Sequence, residues 1–219
     1  MNTKLILQFL KTLQKNNNRE WFHANKGKFE VAKAEFEEIT EKLIREISKF
    51  DEALIGVTPK QCIYRIYRDV RFGKDKTPYK THVGALLADQ GRKTSRAFYY
   101  IHLEPGGKTI VGGGLYMPQG EVIKKIRQEI DYNADAFKKI INGKKFKSQF
   151  GALQGEKLKR APKGYNPEDP NIELLKLKSY LAVHTFTDKE VTEENFIKDC
   201  INMYKTMKPL NDFLNVAVS

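Results

Sequence analysis

At 219 residues, with 40% hydrophobic and 30% charged side chains, the chain is long and apolar enough to bury a core without staples. Its 15 glycines and 8 prolines exclude collagen-like and low-complexity classes. Two cysteines, Cys62 and Cys200, cannot build a disulfide framework or a four-cysteine zinc site, which points to a reducing, cytoplasmic setting, and a net charge of +12 points to an anionic partner.

Leu5, Ile6, Phe9, Leu10 and Leu13 share one stripe and predict a first helix over residues 3–14. The charges at Lys4 and Lys11 leave too short an apolar stretch between them for a signal peptide. Asn16-Asn17-Asn18 interrupts the pattern. Asn17, with Glu20 three residues on, has capping-box spacing for a second helix. Apolar positions from Phe22 through Phe29, Phe36 and Leu43 carry that helix past Gly27 to about Phe50.

The period then changes. Residues 62–72 alternate, with Cys62, Tyr64, Ile66, Val70 and Phe72 on one face and Arg65, Tyr67, Asp69 and Arg71 on the other, which predicts a strand. Residues 82–88, 97–104 and 109–116 are further strand-like runs, and Pro105-Gly106-Gly107 marks a hairpin turn. The longest uncharged run, residues 109–120, is too short and glycine-rich to span a bilayer, so no membrane partner is expected. Val122, Ile123, Ile126 and Ile130 predict a helix, and Ala136, Phe137, Ile140 and Ile141 a shorter one ending at Asn142-Gly143. Residues 143–171 are basic and rich in Gly and Pro, a loop region with short helical pieces. Residues 181–187 predict a strand and 192–214 a closing helix that Pro209 should kink or break. Helices first, strands in the middle and helices last predict a single α+β domain over residues 1–219. A central antiparallel sheet would carry the N-terminal and C-terminal helices on one face.

The charge excess is local. Residues 60–80 hold seven basic side chains against two acidic ones, and residues 138–163 hold nine against one. In the first window Arg68 falls on the apolar face between Ile66 and Val70, where a guanidinium must be paired or reach a ligand. Arginines in such a cluster hold carboxylate or phosphate oxygens bidentately. The expected anion clamp is therefore Arg65, Arg68 and Arg71, with Lys76 and Lys80 as steering charge and Asp69 orienting an arginine. A salt-bridge network is the competing reading. His102 and Tyr100 share a strand face, and Gly112 and Gly114 lie where either a ligand or another backbone comes close. Facing polar rows would place Arg65, Arg71 and His102 in one cleft. Trp21, in the first turn of the second helix, joins this candidate site or simply packs in the core.

The pieces Asn16-Asn17-Asn18-Arg19-Glu20-Trp21-Phe22, RIYRDVRFGKDKTPYK, YYIHLEPGG, VGGGLYMP and LKRAPKGY occur in that order between about Phe9 and Tyr180. In them the chain resembles the domain-of-unknown-function family 2461, although Lys26 stands where that family has Arg. The resemblance implies a single-domain cytoplasmic protein and carries over no catalytic residue.

No HExxH, paired CxxC, GxSxG or phosphate-loop motif is present. His82, His102, Glu104 and Asp69 would make a two-histidine carboxylate set if their strands were neighbours, but no spacing supports it, and no metal or cofactor is assigned. The expected function is binding of a phosphate- or carboxylate-bearing small molecule. An enzyme with His102 or Asp69 as general base is the alternative. A weak nucleic-acid contact through Lys157, Lys159, Arg160 and Tyr165 is a third reading.

Overall fold

Asn2 turns its side-chain oxygen onto the Leu5 amide at 3.0 Å and so starts α1 (Thr3–Lys15), which buries Ile6, Leu7, Phe9, Leu10 and Leu13. The structure is a computed structural model and describes residues 1–71 and 74–218. The second helix begins one residue later than its spacing predicts. Asn18 accepts from the Trp21 amide at 2.8 Å and opens α2 (Arg19–Ala24). Asn17 instead brackets the backbone of Tyr79, donating to its carbonyl at 2.9 Å and accepting from its amide at 3.2 Å. The expected long helix is also divided. Asn25 closes α2 by donating from its side chain to the Trp21 carbonyl, and α3 (Lys26–Ile47) starts from it.

After α4 (Pro59–Cys62), the alternating segment is not the strand its period predicts. Ile63 bridges Ala85 and the Tyr64 amide donates to Gly84 at 2.9 Å, but Tyr67 bridges Tyr79. Arg68 donates to Pro78 at 2.9 Å, and Lys80 donates back to Ile66 at 2.8 Å. A ladder needs one partner over several residues; here the partner changes at Arg65, so no regular strand forms. Phe72 lies outside the described residues.

Four strands, β1 (Val83–Leu87), β2 (Phe98–Leu103), β3 (Thr109–Leu115) and β4 (Tyr180–Phe186), form an antiparallel sheet in the order β1-β2-β3-β4. In the turn after β2, Gly106 and Gly107 take φ of 90° and 69°, a conformation open to glycine. Both donate to the Asp188 carboxylate at 2.8–2.9 Å. Between β3 and β4 run α5 (Gly120–Tyr132), α6 (Ala134–Ile141), α7 (Lys144–Phe150) and α8 (Ile172–Leu175). The chain closes with α9 (Asp188–Val191) and α10 (Phe196–Val218). α10 runs through Pro209 as one helix, so of the expected kink or break there is no break. One lost hydrogen bond is outweighed by its buried Met207, Leu210 and Leu214.

The fold is α+β, with helices packed against the sheet. Packing divides the chain into two compact units. The first comprises Met1–Lys93, Tyr100–Val111 and Thr185–Asn202, and the second Thr94–Tyr99, Gly112–His184 and Met203–Ser219. In the first, Phe22 stacks on Tyr79 with ring centroids 3.9 Å apart, next to Phe9 and Phe29. In the second, Tyr99 meets Tyr204 of α10 edge-on at 5.3 Å, and Phe137 packs on Phe213 at 4.9 Å.

Candidate functional site

Side chains of β2 alternate: Tyr99, Ile101 and Leu103 are buried, whereas Tyr100 and His102 on the opposite face are half-buried. Gly84 of β1 makes room for that second row, since a Cβ there would stand 2.9 Å from the Tyr100 hydroxyl. The irregular segment 63–68 returns along the same edge and brings its cations with it. Lys80 Nζ lies 5.4 Å from the centre of the Tyr64 ring, and the Arg92 guanidinium 5.9 Å. Arg92 is fixed by donating to the carbonyls of Lys60 and Ile63. Burial, and then the charges of Arg65, Arg68 and Arg92, lower the pKa of Lys80. Among the described residues no carboxylate pairs with Lys80 or Arg65.

A second group adjoins β1 and β2. His102 Nε2 is 2.9 Å from Glu104 Oε2, and its Nδ1 is 3.3 Å from the Tyr100 hydroxyl. The neutral tautomer that satisfies both neighbours donates from Nε2 to Glu104 and accepts at Nδ1 from Tyr100. His82 stacks on His102 with centroids 4.1 Å apart, and Thr81 donates to Glu104 Oε1 at 3.1 Å. Burial, reinforced by His102 and opposed by Glu104, lowers His82 to about 4. Burial also lowers His102 against the pull of Glu104, and raises Tyr100 to about 12. Both imidazoles are neutral at pH 7.

Other expected site residues are scattered. Arg68 is half-buried and pairs with Asp75 at 2.5 Å, while its buried Nε has no hydrogen-bond partner among the described residues. It lines a cleft of about 840 Å³ with Arg19, His23, Tyr67 and Lys76, whose Nζ donates to the Val70 carbonyl at 2.8 Å. Arg65 borders a different depression, of about 1010 Å³, with Tyr64 and Arg92. Arg71 and Asp69 pair with each other at 2.7 Å, with side chains 74% and 44% exposed, and line neither depression. Arg65, Arg71 and His102 are therefore brought together in neither of these depressions. The space beside Gly112 and Gly114 is filled by β4. A Cβ at these positions would stand 2.4 Å from the Ala182 carbonyl and 2.0 Å from the Tyr180 carbonyl, so both glycines serve strand packing. Trp21 packs at 6.1 Å on Phe9, lining a small apolar groove with Leu5. Arg92 carries no signal in the sequence, since its role depends on where the fold carries it.

A family model described as "Conserved hypothetical protein (DUF2461)" matches residues 5–213. The chain belongs to that family. No curated protein and no solved structure matches it. The DUF2461 match spans the Lys80 cluster and the His82–His102–Glu104 group. Among the described residues, no helix is long and apolar enough to cross a membrane.

Proposed function

We propose that this DUF2461 protein binds a small phosphate- or carboxylate-bearing ligand at the cations gathered around Lys80. The observation that carries the reading is Lys80 itself, half-buried beside Tyr64 with Arg65, Arg68 and Arg92 near it and no carboxylate partner among the described residues. Like charges brought together out of water repel. An anion relieves that repulsion, and Arg and Lys then form charge-assisted hydrogen bonds to it. Arg68, already paired with Asp75, lies in a separate cleft and adds only its charge to that repulsion. As a general base His102 is poorly placed. Glu104 and Tyr100 already engage both of its ring nitrogens, and Asp69 is held by Arg71.

Thermal unfolding in phosphate, sulfate or citrate, against chloride at matched ionic strength, tests the reading. A saturable rise in Tm with the polyvalent anions is expected. Equal Tm in every salt would reject it.

A further inference from the structure

We propose that His82, His102 and Glu104 form a binding site for a divalent first-row transition metal of the zinc class. Two imidazoles and one carboxylate are a ligand set that such ions take, with open positions left for water or substrate. In this structure the outward atoms of two of these side chains are already held. His102 Nδ1 faces the Tyr100 hydroxyl at 3.3 Å, and Glu104 Oε1 accepts from Thr81 at 3.1 Å. Partners of this kind orient metal ligands from behind. The inward atoms then converge: His102 Nε2 is 2.9 Å and His82 Nδ1 3.9 Å from the same Glu104 Oε2, and all three lie within 4.8 Å of one another. A metal takes the position of the proton now shared between His102 and Glu104. That proton is released or passes to Nδ1, and the neutral His102 then donates from Nδ1 to the Tyr100 hydroxyl oxygen.

The geometry also states what must move. The rings of His82 and His102 are nearly parallel, at 17°, and an imidazole holds a metal in its own plane. One ring must turn. His82, 30% exposed at its side chain, has the room, whereas His102 at 13% is held between Tyr100 and Glu104. Lys80 and Arg68 stand close enough to His82 to oppose a cation there, so the carboxylate is essential to the site. The inference uses different ligand atoms from the anion site and goes beyond it.

The test is titration of chelator-stripped, full-length protein with Co²⁺, read by its d–d absorption, with Zn²⁺ competing. One equivalent should bind in the wild type. Glu104→Gln and His82→Gln should each weaken binding at least tenfold, and Tyr100→Phe by about tenfold, as loss of an outer partner does. His23→Ala and His184→Ala, outside the cluster, should change nothing. Circular dichroism of each metal-free variant separates loss of ligand from loss of fold, and His82→Gln, at the most exposed ligand, decides the matter if Glu104→Gln does not fold. Absence of binding in the wild type, or equal affinity in the folded ligand variants, would overturn the proposal.

Discussion

Burial and three neighbouring guanidiniums lower the pKa of Lys80, a combination that weighs against its charged form in the unliganded fold. Lys80→Met retains the aliphatic stem over Tyr64 and removes the repulsion. The unliganded protein should therefore be unchanged or more stable by up to about 1 kcal/mol in urea denaturation, the signature of a site kept for binding. His82 gives a pH test. Its pKa in the fold is about 4, below the unfolded value, so between about 6.5 and 4 the unfolded chain takes up the proton first. Stability should be full above pH 6.5 and fall by about 2 kcal/mol as the pH drops through that window, after allowance for partial exposure. Denaturation curves at pH 7 and pH 4.5, with chelator present, measure the fall, and His82→Gln should flatten it.

Among the elements, those most legible in the sequence are the ones whose pattern is settled locally. The stripe of Leu5, Ile6, Phe9, Leu10 and Leu13 lies buried in α1, and the Pro105-Gly106-Gly107 turn stands between β2 and β3. Segment 62–72 misleads because period two reports extended backbone and not the partner it bonds to. Its hydrogen bonds pass from Gly84 to the 78–80 stretch halfway along. Asn17 and Asn18 are equally good caps by type, and only the Tyr79 backbone tells them apart. That contact is also a prediction. Asn17→Ala removes two hydrogen bonds to a segment that carries Lys80 and should cost about 1–2 kcal/mol by chemical denaturation. Anion affinity should fall with it.

For the molecule as a whole, charge and distant pairing set how much the sequence alone can tell. The basic window 60–80 is visible as composition, but Arg68 and Arg65 within it line separate depressions, and only their charges reach Lys80. The stacking of His82 on His102 is not legible, since it depends on the register of β1 against β2, which no residue between them announces. Lysines of the second window lie partly in surface ion pairs, Lys138 with Asp135 at 3.0 Å and Lys157 with Glu173 at 2.8 Å. Binding of a single-stranded oligonucleotide, measured by fluorescence anisotropy, should accordingly be weak and should decline steeply as salt is raised.

Calorimetric titration with inorganic phosphate, at fixed ionic strength, addresses the central claim most directly when wild type and Lys80→Met are compared. The wild type should show saturable one-site binding, and Lys80→Met at least a tenfold loss with its unfolding curve intact. Phosphate that binds both proteins equally, or neither, would contradict the anion site.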